Sequence, residues 1–190
     1  MPCLSPSRPA THRPRRRHLI TWAGCLLLGL GAGPAIAHGP TRQKVIEKVG
    51  IDAPAATVWA RIRDFSALQQ WHPAVASSPA DQGNTVGSVR QITLKGGGSL
   101  TESLEAWDDA GMKYSYRAKD GGALPVTNYT STIRVTDEGG KAVVEWRGAF
   151  YRGHPNNDPP PDQNDEAAVK AITGVYQSGL AELKRLVEGR

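Results

Sequence analysis

DEAAVKAITGVYQSGLAELKRLV, residues 165–187, carries apolar side chains at helical spacing. The acidic pair Asp165-Glu166 suits the positive end of a helix dipole, so the helix is expected to begin there. One broad apolar face results, and an apolar face of this width must be covered by another layer, for which we expect a sheet. The members of this face are Ala168, Ile172, Val175, Tyr176, Leu180, Leu183 and Val187.

Five segments with β-strand composition precede this helix and are separated by turn residues. Alternation of apolar and polar residues is clearest over residues 127–135. Because the hairpins are regularly spaced, they predict an antiparallel meander. The predicted strands are 86–94, 99–107, 112–119, 127–136 and 142–151, with breaks at 96–98, 108–111, 121–122 and 137–140.

A further strand and two short helices are predicted before the meander. Residues 44–51 alternate like a strand, and Asp52-Ala53-Pro54 predicts a helix start, with Asp52 as the cap and proline in the first turn. A second helix or turn over 66–70 ends at Trp71-His72-Pro73, where the proline disfavours helical geometry. The resulting order predicts an α+β fold in which a curved antiparallel sheet wraps the long helix and can enclose a cavity.

The first 37 residues have the three zones of an export signal. A basic start is followed by an apolar run from Leu19 to Leu30 and by Ala35-Ile36-Ala37 before the expected cleavage point. The apolar run is about 12 residues long, whereas a membrane span needs roughly 20. We therefore expect residues 38–190 to be one periplasmic domain without a membrane span, exported by the general route or, given Arg16-Arg17, by the twin-arginine route.

Removing the signal changes what the composition implies. The whole chain has 23 basic and 18 acidic residues, and all five basic residues of the signal leave with it, so the mature chain is neutral. Its charge gives no argument for nucleic acid. Cys3 and Cys25 also leave with the signal, so no disulfide, thiolate nucleophile or cysteine metal site is expected. We predict no cofactor and no metal site.

Three short segments carry a family resemblance over residues 42–188. They are Trp71-His72-Pro73, residues 100–104 (LTESL) and residues 124–129 (LPVTNY), read together with the long C-terminal helix. The chain resembles the START-like (SRPBCC) superfamily, which includes polyketide cyclases and dehydrases, Bet v 1 and the plant abscisic acid receptors. The resemblance implies the helix-grip fold, with a curved antiparallel sheet around the C-terminal helix and two short helices after the first strand.

A finer resemblance points to a role. Residues 155–161 (PNNDPPP) and 168–176 (AVKAITGVY) are similar to the MxaD group of periplasmic proteins. This likeness implies an accessory protein for a methanol dehydrogenase that carries pyrroloquinoline quinone, and for its electron transfer to a c-type cytochrome. A carrier or sensor of a small hydrophobic or aromatic ligand is the alternative. A cyclase or lyase is the third reading, but the sequence has no nucleophile triad, metal cluster or dinucleotide fingerprint, which favours a protein that is not an enzyme.

Candidate site residues follow from strand phase and from the resemblance. Glu102 shares a strand face with Leu100 and Leu104, so it either lines the interior or, with the opposite phase, lies in solvent. The aromatic residues could line a cavity or fill a core. His72 could have a structural, surface or chemical role. The cavity candidates are Glu102, Tyr114, Tyr116, Tyr129, Trp146 and Tyr176. The resemblance implies gate and latch loops at Gly96, Gly97, Gly98, Leu124 and Pro125. The motif turn consists of Trp71, His72 and Pro73.

Overall fold

The structure, a computed structural model, describes residues 39–189, so the export signal predicted over residues 1–37 lies outside the described residues. Seven antiparallel strands form one sheet in the order β1-β7-β6-β5-β4-β3-β2. This arrangement confirms the predicted α+β helix-grip fold. The elements are β1 (Gln43–Ile51), α1 (Ala55–Ile62), a short 3-10 helix (Leu68–Gln70), β2 (Val75–Ser77), β3 (Val89–Leu94), β4 (Ser99–Asp108), β5 (Lys113–Asp120), β6 (Val126–Glu138), β7 (Lys141–Arg152) and α2 (Asp165–Glu188).

The β6 strand shows how the sequence sets the two faces of the sheet. Tyr129, Ser131, Ile133 and Val135 are buried, and the residues between them are half-buried or exposed. A bulge precedes this alternation, where Asn128 has a positive φ of 48° and the pairing with β7 shifts register. The bulge places the hydroxyls of Tyr129 and Ser131 on the concave face of the sheet, where the site lies.

Helix α2 covers the concave face by contacting β1 and β7. It begins at Asp165 as predicted, but its cap is Asn164, whose side chain accepts a hydrogen bond of 2.8 Å from the Ala167 amide. Gly189 ends the helix in the left-handed conformation, with a φ of 70°. Within residues 39–189, no helix has both the length and the apolarity needed to cross a membrane.

Three details differ from the sequence predictions. Asp52 does not cap α1, because Pro54 occupies the cap position without a side-chain hydrogen bond and Asp52 pairs instead with Lys141 at 3.3 Å. Strand β3 begins at Val89 rather than at residue 86. Strand β2 was not predicted, since three residues are too few to show alternation.

Candidate functional site

A cavity of about 90 Å³ lies between the concave face of the sheet, helix α2 and the turn at His72. Most of its wall is apolar, while His72, Glu102, Tyr116 and Tyr129 add polar groups. Pockets for drug-sized ligands are several times larger, about 300–1,000 Å³. The interior is therefore largely filled by side chains, and the cavity has room for only a small molecule.

The charged residue of the cavity wall, Glu102, belongs to a buried ion pair whose other member, Arg90, lies behind the wall. Arg90 and Glu102 face each other across β3 and β4, and their side chains are 1% and 3% exposed. The guanidinium Nε and Nη2 lie 2.7 and 2.6 Å from Oε2 of Glu102, and Nη1 donates to the Phe65 carbonyl at 3.0 Å. The guanidinium also lies over the rings of Phe65 and Tyr116, at 4.1 and 4.8 Å. These contacts fix the direction in which the Glu102 carboxylate points.

Burial and pairing act in opposite directions on the two charged groups. Burial raises the pKa of Glu102, and the adjacent Arg90 guanidinium opposes that rise. For Arg90, desolvation alone would lower the pKa, but attraction to Glu102 and the nearby tyrosines raises it overall. Each partner therefore reduces the cost of burying the other, and removing either one would leave an uncompensated buried charge.

A chain of hydrogen-bonded hydroxyls runs beside the ion pair. The Tyr116 and Tyr129 hydroxyls are 3.2 Å apart, and the Tyr129 and Tyr176 hydroxyls are 2.8 Å apart. Ser131 Oγ lies 3.0 Å from the Tyr176 hydroxyl and 2.9 Å from Nε1 of Trp146. Burial raises the pKa of Tyr116 and of Tyr129 well above 10, so both phenols stay protonated at neutral pH.

The motif turn places one of its three residues in the cavity wall. His72 is 3% exposed; its Nε2 lies 3.0 Å from the Val175 carbonyl of α2, and its Nδ1 accepts the Ala74 amide at 3.2 Å. Burial lowers the pKa of His72, which keeps the imidazole neutral at neutral pH. Trp71 is buried against Trp146, with ring centroids 5.5 Å apart, whereas Pro73 is exposed.

The two predicted gate loops contact each other. The Ala123 amide donates to the Ser99 carbonyl at 3.0 Å, which joins the β5–β6 loop to the start of β4. Leu124 lines the cavity, while Gly96, Gly97 and Gly98 are exposed in the β3–β4 turn. The Pro125 carbonyl accepts the Gly153 amide at 2.8 Å and is not part of the cavity wall. The loops therefore cover one end of the cavity in this structure.

The predicted cavity residues divide into three groups. Glu102, Tyr116, Tyr129 and Trp146 line the cavity. Tyr176 lies behind Trp146, with the two rings stacked at 4.5 Å, and reaches the cavity only through its hydroxyl contacts. The sixth, Tyr114, is packed elsewhere in the core, against Trp59 and Phe65, each at a centroid distance of 6.1 Å.

Two residues of the site, Arg90 and Ser131, are not among the predicted site residues. Arg90 stands two positions before the buried Ile92 on β3, so strand phase already predicts that it faces inward. Ser131 lies between Tyr129 and Ile133 in the same phase of β6. Neither residue is apolar or aromatic, and neither lies in a segment that carries the family resemblance, so strand phase is the only signal that predicts their position.

Comparison with known proteins gives the family. The model of the family described as polyketide cyclase / dehydrase and lipid transport matches residues 42–188. This chain belongs to that family. A search of curated proteins finds no match.

Solved structures of similar proteins agree with this family fold. An uncharacterized protein from Bacillus thuringiensis is 30% identical, covers 77% of this chain and 99% of its own, and superposes with a TM-score of 0.64. The protein XoxI from Bacillus cereus is also 30% identical, with 76% and 95% coverage and a TM-score of 0.64. Ara h 8.0201 is 18% identical, covers 79% of this chain and 100% of its own, and has a TM-score of 0.61, so it shows the fold alone.

Proposed function

We propose that this chain acts by binding, as an exported accessory protein of a quinoprotein methanol dehydrogenase and the c-type cytochrome that the enzyme reduces. The resemblance of residues 155–161 and 168–176 to the MxaD group supports this role. The geometry supports the binding character of the role in two ways, one inside the domain and one on its outer surface.

Inside the domain, the titratable groups are poorly suited to acid–base catalysis. Glu102 is held by Arg90, the cavity tyrosines keep their protons, and both ring nitrogens of His72 already have partners. A general acid or base works best when its pKa lies near the working pH and when it can reach the substrate. Residues 39–189 also contain no cluster of three histidine, cysteine or acidic side chains that could hold a metal. Binding is therefore the better supported role.

The proposed docking surface is the outer face of the sheet. An open groove of about 460 Å³ has a floor of small hydroxyl side chains, and three basic side chains and one acidic side chain, Glu105, line its rim. Arg117 has an acidic neighbour at 3.4 Å, Arg147 has one only at 3.9 Å, and Lys44 has none among the residues that the structure describes. Because the predicted mature chain is neutral overall, this positive face implies an acidic partner surface. The floor consists of Ser115, Thr130 and Thr132.

The test is the rate at which a purified quinoprotein methanol dehydrogenase reduces its own cytochrome. The chain is purified from the periplasm of the expression host and added over a range of concentrations. We expect a saturable rise in rate that weakens as salt is added, since exposed charges are screened. A rate that is unchanged at every concentration and at low salt overturns the accessory role.

Two charge reversals locate the docking face. Arg147→Glu changes the rim of the outer groove, and its side chain is 60% exposed, so the fold is expected to tolerate the change. Lys170→Glu makes the same charge change at an exposed position of α2 that does not line the outer groove. Arg147→Glu is expected to lower the stimulation several-fold, while Lys170→Glu leaves it unchanged. Equal effects of the two variants would contradict docking through this face.

A second candidate role is that of a carrier for a small molecule. The observation that favours it is the cavity beside Glu102, one end of which is covered by the two loops that meet at Ala123. The volume of about 90 Å³ restricts any such ligand to a few heavy atoms unless the side chains rearrange.

A further inference from the structure

The hydroxyl chain beside the cavity has a fixed direction. A backbone carbonyl can only accept, so Ser131 donates to the Arg147 carbonyl at 3.0 Å. The single proton of Ser131 is then used, and Tyr176 must donate to Ser131. By the same reasoning Tyr129 donates to Tyr176, and Tyr116 donates to Tyr129. Each of these four hydroxyl protons is therefore donated to an acceptor within the protein.

The remaining donors of the cavity wall are committed as well. The indole N–H of Trp146 points to Ser131 Oγ at 2.9 Å and to the Tyr116 oxygen at 3.1 Å. The amide of Ala74 can only donate, so Nδ1 of His72 accepts from it, and the neutral ring carries its proton on Nε2. That proton is donated to the Val175 carbonyl at 3.0 Å. The side chains in the cavity wall thus offer no free N–H or O–H to a ligand.

One strong acceptor is left over. Both contacts from Arg90 go to Oε2 of Glu102, and none of the hydrogen bonds within residues 39–189 reaches Oε1. Glu102 lines the cavity, so Oε1 is the carboxylate atom that a bound molecule can reach. A ligand must then supply the donor, which excludes ethers, ketones and aldehydes as good ligands.

The charge balance and the volume of the cavity further restrict which ligands can bind. The Arg90–Glu102 pair is neutral as a unit, so an ammonium ion would enter a desolvated space without a counter-charge, which is costly. The volume of about 90 Å³ equals the share of roughly three water molecules in the liquid. Leu68, Ile92 and Leu100 form apolar walls that suit a short hydrocarbon chain.

We propose that the cavity binds a small neutral alcohol of roughly two or three carbons, whose hydroxyl group donates to Oε1 of Glu102. This inference rests on the binding role proposed for the cavity and is independent of docking to a dehydrogenase. The alcohol's apolar part lies against the leucine and isoleucine walls, and its hydroxyl supplies the donor that the protein lacks.

The test titrates the full chain with two probes of nearly equal shape. The probes are 1-propanol and methoxyethane, which have the same heavy atoms but differ in that only the alcohol has an O–H group. Binding is followed by the methyl resonances of Ile92 and Leu100, which line the cavity. We expect saturable shifts with 1-propanol at millimolar concentration and at least tenfold weaker binding of methoxyethane. Equal binding of the two probes, or no saturable shift with either, overturns the proposal.

A substitution at Glu102 is expected to abolish the preference for the alcohol over the ether. In Glu102→Gln the amide oxygen stays with Arg90, because the guanidinium can only donate, so the amide N–H₂ takes the place of Oε1. The cavity then offers a donor, and methoxyethane is expected to bind at least as well as 1-propanol. An unchanged preference for the alcohol in a folded Glu102→Gln chain contradicts the assigned role of Oε1.

A second pair of variants tests the proposed binding site independently, in case Glu102→Gln does not fold. Val175→Phe adds a ring where α2 lines the cavity, and Val169→Phe adds the same ring on the open groove at the start of the helix. The first is expected to abolish 1-propanol binding, and the second to leave it unchanged. Binding that survives Val175→Phe overturns the proposal. Loss of alcohol binding in a chain that still stimulates cytochrome reduction separates this inference from the accessory role.

Discussion

Replacing Gly179 by alanine is expected to destabilise the protein although alanine favours helices. Gly179 is a buried residue of α2 that faces His72 and Trp146 of the cavity wall. A Cβ atom there would stand 2.6 Å from Cδ2 of His72 and 2.8 Å from Cζ3 of Trp146. Both rings are buried, His72 is held by its two ring hydrogen bonds, and Trp146 is stacked on Tyr176. Neither ring can turn away without losing those contacts.

The size of the effect follows from two opposing contributions. The new methyl group would be about 1 Å closer to the rings than the ~3.5–4.0 Å of ordinary carbon contacts, and inserting atoms into a packed core typically costs about 1–3 kcal/mol. Alanine in place of glycine within a helix returns roughly 1 kcal/mol. We expect Gly179→Ala to lower the free energy of unfolding by up to about 2 kcal/mol.

Gly174 provides the matched control in the same helix. It is exposed, and a Cβ atom there would meet nothing within 4 Å, so Gly174→Ala is expected to raise the free energy of unfolding by up to about 1 kcal/mol. The assay is urea unfolding of each chain followed by tryptophan fluorescence. If the two variants change stability equally, or if Gly179→Ala is the more stable one, the reasoning from close packing at His72 and Trp146 is refuted.

Three further predictions concern charge and capping. Burial lowers the pKa of His72 below 6.5, so between the two pKa values the folded chain binds fewer protons than the unfolded chain. The contribution of His72 to the free energy of unfolding is therefore complete above about pH 6.5 and is lost as the pH falls towards the lowered pKa. Urea unfolding between pH 5 and 7.5 should show a smaller loss of stability in His72→Gln than in the unchanged chain. Arg90→Met is expected to lower the free energy of unfolding by about 3–5 kcal/mol, because it leaves Glu102 buried and unpaired. The double variant Arg90→Met with Glu102→Leu is expected to recover most of this loss in thermal unfolding, and a double variant as unstable as the single one would contradict this account. Asn164→Ala removes the cap bond to the Ala167 amide and is expected to lower stability by about 1 kcal/mol in urea, an expectation that an unchanged midpoint would contradict.

Strand phase made much of the fold and part of the site predictable. A side chain's face in a sheet depends only on its position along the strand, so the inward direction of Glu102 follows from Leu100 and Leu104. The same rule applied to Ile92 predicts that Arg90 faces inward, and the pairing of β3 with β4 then places it opposite Glu102. The Arg90–Glu102 ion pair can therefore be predicted from the sequence once the register of the β3–β4 hairpin is known.

Other features depend on packing that a single sequence does not encode locally. The size of the cavity is set by how closely side chains from distant elements meet, as Tyr114 shows by packing against Trp59 rather than lining the cavity. The cap of α1 also differs from residue preference, because Pro54 occupies the cap position and Asp52 lies beside Lys141 on β7.

The one-way chain of hydroxyls from Tyr116 to the Arg147 carbonyl has a consequence for variation among relatives. Loss of the first hydroxyl, as in Tyr116→Phe, leaves every later donor with its acceptor. Loss of the hydroxyl at Tyr176 leaves the Tyr129 proton without an acceptor in a buried place, which is the costlier change. In homologous sequences, phenylalanine should therefore be common at position 116 but should occur at position 176 only where position 129 has changed as well.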